Sequence, residues 1–586
     1  MAYLDLSLIL IYFIVVIALG FWYRRRASQD LDSYFLGGKK IHWLALAMSG
    51  SASNFDITGT MWIVSMLFLM GMKSMWIHWM WGVMMGAFFA SYIGKWVRRS
   101  GVMTGAEWMI TRFGDGRPGK VARTAYALMA VITQISFIGY AFQGIGKFAS
   151  VYVPFSPAVC ALVIIGATTL YVLLGGLYSV VLTDVIQTVV LSLASVLIAW
   201  LAYSQLTPEI IGQTVPQGWE SVLPRWRLPE FAGTEHAGYE FFGALVIVWV
   251  LKGLFLNAGG PAQMYDFQRF LAAREPRDAA KIGASWSLFL VVRWAMAAGI
   301  TLLALSGVAR VSDPEKVMPI VLLEYLPVGL RGIVIAGLLA AFMSTFSSTV
   351  NSGASYLVRD LWQPFFAPRA RQKQLVRSGY VATVGIVLAG IAIGYQAQSI
   401  AQIWNWMMMT LGAGVIIPNV LKWYWWRMNG WGFAAGTIGG MVLSIPFLFF
   451  PDAPMYLTFP PICAASLIAS VAGSLLTGPV DQRTLNSFYR TVRPFGLWGT
   501  VREQCGLPEE QISSGTESAW IAALNTALGI IAITGLYLFP MYLVGHWHAR
   551  AFAWLGVSLC AGVILAFTWY RNLPPPHSER TGSLST

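Results

Sequence analysis

Ser49-Gly50-Ser51-Ala52-Ser53-Asn54-Phe55-Asp56-Ile57-Thr58-Gly59-Thr60 stands in the middle of an apolar run covering 43–70. That run is long enough to cross a bilayer, which takes about 20 residues. Its centre is nevertheless polar and holds an aspartate. Hydrocarbon cannot satisfy such groups, so the segment must face protein or a water-filled cavity. A second irregular segment, Asn257-Ala258-Gly259-Gly260-Pro261, ends the apolar run 240–258, and an amphipathic piece from Gln263 to Ala273 follows it. Glycine loosens the backbone torsions and proline removes an N–H, so a helix should break there. Small residues in such segments also serve close helix packing. The two breaks lie five spans apart on helices running in opposite directions. Interrupted helices at matching positions of two halves mark transporters built from inverted repeats, whose freed carbonyls bind cations near mid-membrane.

The rest of the chain is consistent with a membrane setting. Its 586 residues are 57% hydrophobic and 11% charged, with 26 Trp, 33 Phe and 23 Tyr. That is too little charge to cover a soluble domain of this length. About fifteen apolar spans are expected, near 5–23, 43–70, 75–95, 122–151, 156–174, 178–202, 240–258, 281–308, 328–356, 377–395, 401–424, 431–452, 457–477, 519–543 and 549–571. They must be helices, because a barrel would show short alternating segments. The expected fold class is therefore an all-α polytopic membrane protein with two discontinuous helices. The first apolar stretch lacks a basic leader and a small-residue cleavage site, and reads as a retained helix.

The net charge of +13 does not point to nucleic acid, because the basic residues sit in alternate short loops. With the N-terminus outside, inner segments hold 29 of the 39 Lys and Arg, among them Arg98, Arg99, Arg269 and Arg274, and outer segments hold six. This bias sets the orientation. The segment 203–239 then reads as an outer loop and 478–518 as a cytoplasmic one. The four cysteines show no pairing pattern. No nucleotide loop, HExxH or Cys/His cluster is present, so an enzyme is not expected.

Ionisable residues inside spans are functional candidates, since each costs about 2.5–3.5 kcal/mol to insert. Asp56, Asp184, Lys252 and Arg293 are of this kind. Asp184 reads either as a helix cap at the inner face or as an ion ligand. Arg293 or Lys252 would neutralise Asp56, and a cation at Arg293 would also suit a carboxylate substrate. The aromatic run containing His78 and Trp79 reads as an interface belt or as a stacking surface beside a site. Trp404, Asn405 and Trp406 read as an outer gate, and Gln263 as a substrate contact.

One helix carries the most specific pattern: Ala340-Ala341-Phe342-Met343-Ser344-Thr345-Phe346-Ser347-Ser348, then Asn351-Ser352 and Arg359-Asp360-Leu361. Further motifs are Gly175-Gly176-Leu177-Tyr178-Ser179 with Thr183 to Gln187, Gln268 to Ala273, and Thr104 to Glu107 with Arg112-Phe113-Gly114. Taken together over residues 5–450 the sequence resembles the sodium:solute symporters, whose members carry glucose, proline or sialic acid.

The resemblance implies a five-plus-five inverted repeat, with repeats at 43–202 and 240–424. The segment 1–42 precedes them and additional helices at 425–586 follow. It implies a principal sodium site made by the carbonyls of Asn54, Ile57 and Ala341 and the hydroxyls of Ser344 and Thr345. It also implies a second sodium site at Asp184, Ser344, Ser347 and Ser348. Oxygen ligands suit a hard cation, and residues three and four apart share a helix face.

The expected function is sodium-coupled symport of a small polar solute across the inner (plasma) membrane, with a sugar or sugar derivative favoured. The alternatives are an amino-acid or carboxylate symporter, or a transporter-fold sensor. The topology predicts that a reporter fused to the C-terminus is active only when it functions in the cytoplasm. Activity restricted to a periplasm-dependent reporter would reverse the assignment.

Overall fold

A break inside a membrane helix leaves backbone groups that only protein can satisfy, and the chain packs its other helices around two such breaks. The computed structural model describes residues 2–27, 41–102, 104–174, 177–260, 269–307, 311–448, 450, 453–506 and 518–574. Among these residues the chain is all-helical, apart from one isolated bridge between Trp425 and Leu497. Eleven helices are long and apolar enough to cross a membrane, and three shorter apolar ones, Tyr3–Val15, Pro157–Leu170 and Phe242–Ala258, join them. One of the eleven, Ile57–Arg99, runs through two of the spans expected from hydropathy, 43–70 and 75–95. A 3-10 turn at Gly71–Ser74, with Gly71 at φ +73°, parts that run into pieces that coincide with the two expected spans.

The first break falls where its polar sequence placed it. Helix Trp43–Asn54 ends as the Phe55 N–H bonds the carbonyls of Ser51 and Ala52. Asp56 is extended (φ −68°, ψ 151°) and its carboxylate caps the next helix, Ile57–Met70, through the Gly59 N–H. Aspartate suits this place because it satisfies an orphan N–H and its charge favours a helix N-terminus. At the second break, helix Phe242–Ala258 stops at Gly259, and Gly260 takes φ +100°, a torsion open to glycine at little cost. Gln263 and most of the amphipathic piece lie outside the described residues, as do Gly175 and Gly176.

Two further expected spans are interrupted. The span 281–308 is two helices, Pro276–Phe289 and Val291–Leu305, parted at Leu290. The span 401–424 carries a π-helical turn, Trp406–Leu411. Such turns insert an extra residue and recur at functional sites.

Several of the scattered motifs meet at one end of the helices. Thr104 donates to Asp360 (3.1 Å), Arg123 bonds the other Asp360 oxygen (2.8 Å), and Arg359 pairs with Glu107 (3.1 Å). Arg112, wholly buried, donates to the carbonyls of Lys422, Trp425 and Trp426. The segment 478–506 is not a bare loop: its helices Gln482–Val492 and Gly499–Cys505 lie over this seam, where Phe488 and Trp498 cover the Arg112 guanidinium. On the opposite side the N-terminal helix is fixed by Asp5, whose carboxylate takes Arg331 (2.6 Å) and two backbone N–H groups.

Gly50 on the first half-helix packs against Trp286, and a Cβ there would come within 2.2 Å of its ring carbons. Overpacking of this kind costs about 1–3 kcal/mol. Gly50→Ala is therefore expected to lower the melting temperature of the purified protein by several degrees, checked by a thermal-shift assay. An unchanged melting temperature would show that the contact is not tight.

Candidate functional site

The helix Leu330–Ser355 is buried on nearly every side, so its hydroxyls must find partners inside the protein. Thr345 Oγ1 donates to the Ser53 carbonyl (2.6 Å) and lies 3.1 Å from the Ala341 carbonyl. Ser344 Oγ lies 3.3 Å from Ser53 Oγ. Oxygens of the serine helix thus meet the last turn before the break. Ala341, Ser344 and Thr345 come together as expected, but the carbonyl opposite Thr345 is that of Ser53 rather than Asn54. The Asn54 carbonyl accepts from Arg293 Nη1 (2.8 Å), and its side-chain amide returns to Gly50 O (3.2 Å). Ile57 begins the second half-helix and is fully buried.

A second cluster lies one turn earlier along the helix Trp43–Asn54. Ser49 Oγ donates to Asp184 Oδ2 (2.6 Å). Ser53 Oγ is 3.2 Å from Ser348 Oγ. Into this ladder reaches Arg269, whose Nη2 donates to Ser348 (2.7 Å), Ser53 (2.8 Å) and Ser49 (3.3 Å) and stands 3.8 Å from Asp184 Oδ2. Arg269 and Asp184 are both 0% exposed. This corrects the reading of Arg269 as a cytoplasmic loop residue. Ser347 instead back-bonds to the Ser344 carbonyl of its own helix (3.1 Å) and does not join the cluster through a hydrogen bond. Sequence reasoning missed Ser49, Ser53 and Arg269. The available signal was the Gln268-Arg269 pair so soon after the Gly-Gly-Pro break.

The part of the site beyond the break is aromatic and surrounds the other guanidinium. Arg293 donates to Asn54 O, to Thr60 Oγ1 (3.0 Å) and weakly to Asp56 O (3.5 Å). A Cβ on Gly59 would touch both Arg293 Nη2 and Asp56 Oδ1 at 2.9 Å, so this cation and the aspartate flank one point. Lys252 lies elsewhere, with Nζ 4.7 Å above Trp249. His78 bonds Ser74 (3.1 Å) and stacks on Trp294 with centroids 5.2 Å apart. Trp62 contacts Trp404 (5.4 Å), and Trp404 contacts Tyr140 (5.2 Å). The Trp406 indole donates to Ser444 O (3.3 Å) on the following helix, while Trp404 packs against Trp62 and Tyr140. Asn405 is half-buried between them, and Trp79 stands one residue beyond His78 on helix Met75–Phe88.

A small cleft lies between these layers, bounded by Asp56, Thr58, Phe137, Tyr140, Thr345 and Thr349. Thr349 Oγ1 is buried with no hydrogen-bond partner among the described residues. Thr345 belongs both to this cavity and to the oxygen cluster at Ser53, so occupation of either space bears on the other. Among the described residues there is no His/Cys/Asp/Glu group of transition-metal type. The donors are hydroxyls, carbonyls and one carboxylate, which suit a hard monovalent ion.

Residues 34–440 match the Sodium:solute symporter family. The osmoregulated proline transporter OpuE of Bacillus subtilis (strain 168) is 27% identical, over 82% of this chain and 95% of that protein. The sodium/glucose cotransporter of Vibrio parahaemolyticus is 25% identical, over 78% of this chain and 87% of its own length. A solved sodium-coupled sialic acid symporter, substrate-bound and outward-open, shares the fold with a TM-score of 0.64 at 17% identity, covering 82% of this chain and 99% of that one.

If the Ser344 and Thr345 hydroxyls hold the ion, removing either weakens cation binding without disturbing the packing. Thr345→Ala and Ser344→Ala are each expected to raise half-saturating sodium about tenfold, equivalent to about 1.4 kcal/mol. Solute affinity should fall mainly at low sodium, because coupling is reciprocal. Sodium-dependent uptake measures both effects. Wild-type sodium dependence in either variant would remove that residue from the site.

Proposed function

The chain belongs to the sodium:solute symporter family of membrane transporters, and on that premise we propose that it couples inward sodium movement to uptake of a sugar or sugar derivative. Sodium is the coupling ion of the family, and the chain is a transporter rather than an enzyme. The first ion is held by the Ser53 and Ala341 carbonyls with the hydroxyls of Thr345 and Ser344. The second is held around Asp184, Ser344 and Ser348. The solute occupies the cavity bounded by Asp56, Thr349 and Tyr140 beneath Trp404.

The observation that carries the coupling is the shared position of Thr345. An ion that draws Ser53 and Thr345 together also shapes the wall the solute touches, so each favours binding of the other. Solute class rests on two features. Phe137, Tyr140 and Phe346 line the cleft with apolar ring surface suited to a sugar, and Asp56 and Thr349 offer acceptors and a donor to its hydroxyls. Arg293, the natural partner for a carboxylate, is already committed to Asn54 O and Thr60 Oγ1. The proline and glucose relatives leave both solute classes represented among similar chains.

We place the N-terminus outside and the C-terminus in the cytoplasm of the plasma membrane. The repeats are assigned to 43–202 and 240–424, with 203–239 as an outer strap. Trp219 in that strap bonds Leu67 O (2.9 Å), and Trp76 bonds Val222 O (2.7 Å), tying it to the first interrupted helix.

A thermal-shift screen of sugars, amino acids and carboxylates, with and without sodium, tests the solute class. Sugars should raise the melting temperature, and only with sodium present. A shift with amino acids or carboxylates and none with sugars would overturn the sugar assignment. Each inward charge gains about 2.3 kcal/mol per 100 mV, so two ions concentrate a neutral solute far more steeply than one. The wild type should show a sodium Hill coefficient above one, and Asp184→Asn should lower it toward one while solute binding persists. A reversal potential giving one sodium per solute in the wild type would contradict the second site.

A further inference from the structure

We propose that Arg269 is a tethered cation that holds the second cation site whenever sodium is absent and that sodium displaces it, so the site exchanges a guanidinium for an ion in each cycle. The proposal rests on the reading of Asp184 and its serines as a cation site. Three oxygens within 3.3 Å of one Arg269 nitrogen are the hydroxyls of Ser49, Ser53 and Ser348. Two of these belong to the broken helix and one to the serine helix that also supplies the first site. Asp184 provides the only carboxylate seen at this cluster among the described residues. A single nitrogen therefore stands amid the oxygens that a hard cation would require.

Two further observations separate this arrangement from an ordinary buried ion pair. Such pairs usually close with the guanidinium fork bidentate on the carboxylate. Here Arg269 Nη2 stands 3.8 Å from Asp184 Oδ2, while Ser49 occupies that carboxylate oxygen at 2.6 Å. The other oxygen, Asp184 Oδ1, is buried and has no hydrogen-bond partner among the described residues. A buried carboxylate with an unused oxygen keeps capacity for a closer cation than the arginine supplies. The arginine is also carried on the chain just after the Gly259-Gly260 break, where φ +100° at Gly260 ends the helix that leads to it.

Charge decides the exchange. With Arg269 in place the cluster holds one positive and one negative group. Adding sodium beside the guanidinium would bring two like charges together in a medium that screens them poorly. Sodium enters as Arg269 withdraws, and the returning guanidinium helps to expel the ion on the inner side. The empty carrier meanwhile never buries an uncompensated carboxylate. Arg269 is here a positioning and competing group, not a ligand of the solute.

Equilibrium binding of ²²Na⁺ to the purified full-length protein, without solute, tests this directly. Arg269→Gln should lower the sodium concentration that half-fills the second site at least tenfold. The gain should vanish in Asp184→Asn/Arg269→Gln, which leaves only the first ion bound. Unchanged or weaker sodium binding in Arg269→Gln would overturn the exchange. If Arg269→Gln does not yield folded protein, Arg269→Lys carries the test, because an ammonium lacks the reach of the fork. It should bring a gain of about threefold, and an unchanged midpoint would contradict the proposal. The underlying cation site fails separately: one bound sodium in both the wild type and Asp184→Asn would remove the site, whatever Arg269 does.

Discussion

Every element of this site depends on how a broken helix is kept inside a bilayer. Breaking a membrane helix frees carbonyls and N–H groups that hydrocarbon cannot satisfy. At 54–56 the chain answers with charge. The Asp56 carboxylate caps the second half-helix, and Arg293 reaches across from Val291–Leu305 to take the Asn54 carbonyl and Thr60. Once Arg293 has absorbed the carbonyl at 54, the carbonyl left facing the serine helix is that of Ser53. The cation site we propose is thus made from what the structural repair leaves over.

That order of events explains where the sequence was legible. The position of the break was visible, because polar residues and an aspartate in an apolar run have few other uses. The ladder at Ala341, Ser344 and Thr345 came from the resemblance to the sodium:solute symporters, and the helix period, which places those residues on one face, agrees with it. What escaped was the direction of single groups. Successive residues of a helix turn by about 100°, as 3.6 residues per turn requires, so one residue of uncertainty at a helix end exchanges Asn54 for Ser53. The π turn at Trp406–Leu411 produces the same effect, sending Trp406 to Ser444 while Trp404 packs against Trp62 and Tyr140.

Arg269 escaped for a different reason. Counting basic residues in loops orients a membrane protein well, but it treats each arginine as solvated. The cost of burying a charge is met here by Asp184 and three hydroxyls drawn from other helices, none of them near Arg269 in sequence. Only the packing of Trp43–Asn54, Leu177–Gln205 and Leu330–Ser355 around one point reveals it. The 478–506 segment shows the same limit: composition marked it as a loop, whereas its aromatic side chains fold over Arg112 and make it part of the inner wall.

The central claim is that sodium, bound between the broken helix and the serine helix, does work on a solute in the adjoining cavity. Purified protein in sealed liposomes, with equal solute on both sides and only an inward sodium gradient, tests it most directly. Labelled solute should accumulate inside above its external concentration, and collapsing the sodium gradient should release it. Solute that merely equilibrates, or that binds without entering, would contradict the account and favour a facilitator or a sensor built on the same fold.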